Sequence, residues 1–88
     1  MNGEIIEMTG EVRWGEPVWV RVGYGIPDAV RGPSQALAYL DTRWPAARGA
    51  AFHRARTGCV AALNRRASCE AAREAFLHAA GEARMLAL

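Results

Sequence analysis

Pro17-Val18-Trp19-Val20-Arg21-Val22-Gly23 is the stretch on which the fold turns. Val18, Val20 and Val22 alternate with Trp19 and Arg21, a period of two, and valine suits a pleated surface. The spacing predicts a strand whose valines face a core while Trp19 and Arg21 face the other way. Gly23-Tyr24-Gly25-Ile26-Pro27-Asp28 follows as a turn, with two glycines and a proline. Ala29-Val30-Arg31 then returns as a short second strand, which completes a hairpin across residues 17–31. Upstream, Glu11-Val12-Arg13-Trp14 offers a further strand before the Gly15-Glu16-Pro17 turn. Residues 1–10 read as a short strand or a loose arm whose apolar anchors are Ile5, Ile6 and Met8.

After Gly32 the period changes from two to helical. Pro33 fits a first helical position, where its missing N–H costs nothing, and Ala36, Leu37, Leu40 and Trp44 share one helical face. Trp44-Pro45 ends this helix, because a residue before proline is pushed out of the α region. A second helix is predicted over 47–64 with Phe52, Ala55, Cys59, Ala62 and Leu63 as its apolar stripe. Gly58 lies inside it at a cost of about 1 kcal/mol relative to alanine, and so marks a place where another backbone comes close. Ser68 is a good N-cap and Glu70 a favourable first-turn charge for a third helix over 69–84, on which Ala72, Phe76, Ala79, Ala83 and Leu86 fall at helical spacing. The short link through Arg65-Arg66-Ala67 makes helices two and three an antiparallel hairpin. The expected fold is α+β: a β-hairpin of two or three strands on three helices, with Trp44, Phe52, Leu63, Phe76 and Val20 in one core.

Length and composition bound what such a chain does. Eighty-eight residues, 51% hydrophobic, make one domain, 1–88, that buries about three-fifths of its unfolded surface. No apolar run approaches a membrane span. The N-terminal residues carry neither a basic start nor a long apolar stretch, so the cytoplasm is the expected compartment. All eleven basic side chains are arginines, and eighteen residues are alanine. Charge is uneven: residues 1–30 carry Glu4, Glu7, Glu11, Glu16 and Asp28 against Arg13 and Arg21, a net −3, whereas residues 31–88 carry nine arginines against four acids, a net +5.

The chain also resembles a known family. The residues that carry the resemblance are Pro17-Val18 with Val20, the pair Gly23 and Gly25, Ala36 with Leu40, Trp44-Pro45 with Arg48-Gly49, Ala55, Cys59, Ala62-Leu63, and Ala72-Arg73 with Phe76 and Ala79-Ala80. This pattern, spread over residues 14–84, is similar to the small bacterial proteins catalogued as domain of unknown function 982. The Trp-Pro-x-x-Arg-Gly and Ala-Arg-x-x-Phe stretches are its most specific pieces. The resemblance implies a fold and a short stand-alone chain; it implies no activity, catalytic residue or cofactor. Trp19 is not part of the recognised pattern.

The residue chemistry argues against an enzyme. A reactive thiolate needs an accessible, electropositive setting with a base in reach. Cys59 instead lies on an apolar stripe, and His53 sits about 120° away round the helix. The carboxylates form no buried pair. Cys59 and Cys69 are too few for a disulfide framework, and their Cα atoms are expected beyond the 7 Å reach of a bridge. With His53 and His78 they give the spacing H-x5-C-x9-C-x8-H, which lacks the close pair of a structural zinc site, so neither a metal nor a cofactor is expected.

Two binding readings stay open. Three helices cover one face of so small a sheet, which leaves Trp19 and Arg21, with Trp14, on the other. Tryptophan and arginine are the residues most enriched at interface hot spots. On this reading the chain pairs with itself or another protein, unless the arm with Ile5, Ile6 and Met8 covers Trp19. The alternative is nucleic-acid binding: Arg43, Arg48, Arg54, Arg56, Arg65 and Arg66 fall between Thr42 and Ser68 with no acid among them, and arginine clusters attract phosphate. Their helical angles spread them around the helix, which also suits a solvated face whose arginines pair with the acidic first segment.

Overall fold

A computed structural model describes residues 12–45 and 48–87. Strand β1, Val18–Val20, pairs antiparallel with strand β2, Asp28–Val30, in the register Val18↔Val30, Trp19↔Ala29 and Val20↔Asp28. Three helices follow: α1, Pro33–Thr42; α2, Ala50–Leu63; and α3, Cys69–Glu82. The architecture is the expected α+β hairpin on three helices, with α2 and α3 closely packed.

Three details of the sheet differ from the sequence reading. Val22 was expected to face the core but is 38% exposed. The strand stops before it because Gly23 takes φ +60° and the Gly25 N–H donates to the Val22 carbonyl at 3.0 Å, closing a tight turn. Val12–Trp14 forms no strand; the Trp14 N–H donates to the Arg31 carbonyl at 2.8 Å. The far edge of β1 is instead covered by the end of the chain. The Arg21 N–H donates to Met85 at 2.7 Å, the Ala87 N–H donates to Trp19 at 2.9 Å, and Leu86 bridges Val20.

That C-terminal pairing explains why Leu86 is not on the third helix. Helix α3 stops at Glu82, and Arg84 turns left-handed at φ 59°. The Arg84 N–H then returns to Gly81 at 3.1 Å and the Met85 N–H to Ala80 at 2.8 Å, a Schellman closure. Helix α2 closes in the same way: Arg65 at φ 60° bonds back to Ala62 and Arg66 to Ala61. At the other end of α3, Ser68 caps the helix by accepting the Ala71 N–H at 3.0 Å. Gly49 precedes the first residue of α2, which therefore starts three residues later than the stripe predicted; Ala46 and Ala47 lie outside the described residues.

One core joins these elements. Trp14, Phe76, Trp44 and Phe52 run through it as a chain of tilted ring contacts, at 5.7 Å, 5.7 Å and 6.1 Å between successive centroids. Val20, Leu40, Ala55, Cys59 and Ala80 complete it without exposure. Phe76 touches both tryptophans, so cutting it to alanine removes about 3–5 kcal/mol. Leu63 was expected here but is only half-buried. The buried stripe of α2 is Phe52, Ala55, Cys59 and Ala62, and Leu63 lies one residue, about 100°, off it. Gly58 marks the approach of α3: a Cβ there would lie 3.7 Å from the Ala72 Cα.

Candidate interaction surface on the hairpin

The hairpin has two unlike faces because side chains alternate along its strands. Val18, Val20 and Val30 enter the core, and none is more than 2% exposed. Trp19 points the opposite way and is 48% exposed, opposite the small Ala29, with Arg21 exposed beside it. The turn then adds Val22, a wholly exposed Tyr24, and Ile26 at 87%. Sequence reasoning found Trp19 and Arg21 but missed these three. The signal was present in Gly-Tyr-Gly-Ile-Pro: glycine and proline force a turn, and the turn holds two large apolar side chains that no strand carries inward.

Trp14 does not belong to this surface. It is 6% exposed and packs on Phe76 inside the core, because the segment 12–14 crosses Gly32 instead of extending the sheet. Its indole N–H is buried without a hydrogen-bond partner among the described residues. Ile5, Ile6 and Met8, the other expected cover for Trp19, lie outside the described residues.

The arginines divide by their partners. Arg43 turns from Asp41 to Asp28, at 3.5 Å, donates to the Tyr39 hydroxyl at 3.1 Å and lies 4.6 Å from that ring's centre. The Tyr39 hydroxyl donates to Asp28 in turn, and its pKa is raised by burial and by that carboxylate, against the opposing pull of Arg43. Arg56 takes Asp41 with two bonds, 2.8 and 3.4 Å, tying α2 to α1. Arg48 sits over Phe52, 4.8 Å from the ring centre. Arg73 donates to the Glu16 and Pro17 carbonyls at 2.8 and 3.3 Å, which fixes the entry into β1. Of the residues weighed for nucleic acid, Arg54, Arg65 and Arg66 are exposed, and their side chains make no hydrogen bond or ion pair among the described residues. Arg54 lies on the body of α2, whereas Arg65 and Arg66 lie in its closing turn.

The remaining candidates sit apart. Cys59 is fully buried and its thiol is pushed up to about 11 by burial, while Cys69 is half-buried; both are free. The His53 ring stands edge-on to Phe52, and His78 lies 3.9 Å from Glu82 on the outside of α3. Among the described residues no group of three or more His, Cys, Asp or Glu is placed to hold a metal ion, and no helix is long and apolar enough to cross a membrane.

No curated protein and no solved structure matches the chain. The family pattern does map onto the fold: Trp44 and Phe76 are the centre of the core, Arg48 lies on Phe52, and Arg73 holds the strand entry. The model of the protein family of unknown function DUF982 matches residues 16–87, and the chain belongs to that family.

Proposed function

We propose that this chain is a small, cytoplasmic, non-enzymatic interaction module that pairs with a second copy of itself through the outer hairpin face of Trp19, Arg21, Val22, Tyr24 and Ile26. The observation that carries the reading is four large apolar side chains, each at least 38% exposed, on one hairpin. A patch of that kind marks an interface. At about 150–250 Å² for a whole aromatic side chain, Trp19 and Tyr24 expose on the order of 300 Å² per protomer. Two copies together remove roughly twice that, and Val22 and Ile26 carry the total toward the ~1,000 Å² that a specific interface needs. Charge supports self-pairing too, since residues 1–30 are net negative and residues 31–88 net positive. Two free cysteines suit a reducing compartment.

A competing reading has one observation in its favour: Arg54, Arg65 and Arg66 are exposed cations left unpaired by the described residues. Retention on a nucleic-acid column tests it, because phosphate binding weakens steeply with salt. The expected result is no retention at about 0.15 M salt. Retention there that is lost in an Arg54→Ala/Arg65→Ala/Arg66→Ala variant moves the function to the arginines.

A further inference from the structure

Trp19 stands beside a hollow of its own protomer. The register places it directly opposite Ala29, and side chains paired in this way lie about 4.5–5.5 Å apart at Cβ on one face of a sheet. Ala29 ends at its methyl, so the indole rises above a low neighbour. Ala29 also lines a hollow of about 290 Å³ between β2 and α1. A knob and a socket therefore lie side by side on one molecule. An isologous pair needs that arrangement, because a two-fold axis between knob and socket carries each knob into the other copy's socket.

We propose that Trp19 of a second copy fills this hollow, and that Trp19 of the first fills its counterpart. The inference rests on the self-pairing proposed above and supplies the contact that fixes its register. The lining suits an indole. Ala29 and Ala38 give it methyl-sized walls, which leave room for a large ring. Tyr39 lies along the hollow with the Arg43 guanidinium 4.6 Å from its ring centre, an aromatic and cationic wall of the kind on which tryptophan packs. A buried indole N–H needs an acceptor, and the hollow offers the Asp28 carboxylate. The Tyr39 hydroxyl holds that carboxylate, with Arg43 at 3.5 Å from it. The socket is thus set before the partner arrives, and binding loses little entropy in ordering it.

The knob is suited as well. Trp19 is 48% exposed in one protomer, so about half of it is left for a partner to cover. A tryptophan seated in a pocket near the centre of an interface is the kind of side chain whose loss weakens binding most. The two-fold axis places two such anchors at the centre, and Tyr24 and Ile26, toward the hairpin turn, contribute contact around them.

Sedimentation equilibrium tests the socket separately from the hairpin patch, with variants on α1 that leave the hairpin untouched. Ala38 is exposed and lines the helical side of the hollow. Ala38→Gln puts a long side chain into the hollow and Ala38→Ser leaves it open; both are ordinary residues on an exposed helix surface. Ala38→Ser is expected to dimerise within about twofold of the wild-type affinity, and Ala38→Gln at least about tenfold more weakly with an unchanged thermal melt. In a mixed dimer of isotope-labelled and unlabelled chains, NMR cross-peaks are expected between the Trp19 indole of one copy and the Ala29 and Ala38 methyls of the other. An Ala38→Gln protein that dimerises as tightly as the wild type overturns the socket and leaves self-pairing through the hairpin standing. Intermolecular cross-peaks from Trp19 that omit those methyls do the same. A wild type that stays monomeric at every concentration overturns both.

Discussion

Replacing Gly32 by alanine places a methyl carbon 2.3 Å from the Val12 carbonyl oxygen, 3.2 Å from the Arg13 Cα and 3.3 Å from the Val12 carbonyl carbon. All three are backbone atoms, so no side chain can swing aside. The backbone at Gly32 is extended, φ −176° and ψ 177°, which any residue adopts, so contact alone sets the penalty. Relief requires segment 12–13 to move outward by about 1 Å, which pulls on the Trp14–Arg31 hydrogen bond and on the seating of Trp14 against Phe76. Overpacking of this kind costs about 1–3 kcal/mol. The reduced freedom of the unfolded chain returns only about 0.4–1 kcal/mol. A net loss of about 1–2 kcal/mol lowers the Tm by roughly 4–16 °C in a domain of this size. Gly58→Ala is the matched control: its new carbon meets Ala72 at an ordinary 3.7 Å, so removing a helical glycine stabilises by about 1 kcal/mol. Thermal melts followed by far-UV circular dichroism measure both. A Gly32→Ala protein that melts at or above the wild-type temperature refutes the reasoning about this crossing.

Arg65 and Arg84 each close a helix in the left-handed region, where an L side chain costs about 1–2 kcal/mol and glycine costs nothing sterically. Arg84→Gly and Arg65→Gly should each raise stability by about 0.5–1 kcal/mol in urea titrations, after glycine's extra unfolded-state freedom is deducted. The Cys59 thiol has an ordinary value of 9.0 and stands near 11 in the fold. Its pKa is raised on folding, so its contribution is fully present below pH 9 and lost as pH rises toward 11. Urea midpoints should therefore fall across that window, and the fall should flatten in Cys59→Ala. In the native protein a thiol reagent should label Cys69 well before Cys59.

The hairpin and the helices were legible because their periods differ and because their punctuation is local: Pro33 at a helix start, Ser68 at a cap, Trp44-Pro45 at a stop. Trp14 and Leu86 were misread for a shared reason. Each lies at the end of a periodic run, and what places it is contact with an element distant in sequence: Gly32 for the segment leading to Trp14, and the edge of β1 for Leu86. Val22 was lost to a glycine whose positive φ the alternation does not reveal. The candidate surface was half legible: alternation alone turns Trp19 outward, but Tyr24 and Ile26 count only once the turn is seen to project them uncovered. The arginine cluster, continuous in sequence, is divided in space by Asp28, Asp41 and Phe52.

Sedimentation equilibrium of the wild type against a Trp19→Ala/Tyr24→Ser variant, across protein concentrations and at low and high salt, tests the central claim most directly. Both substituted side chains are exposed and lie outside the core, so the variant should remain folded. The account predicts a wild-type dimer whose affinity changes little with salt, since an apolar face carries it, and a variant that stays monomeric at every concentration. A wild type that remains a monomer at the highest concentration contradicts it, as does a Trp19→Ala/Tyr24→Ser variant that dimerises as tightly as the wild type.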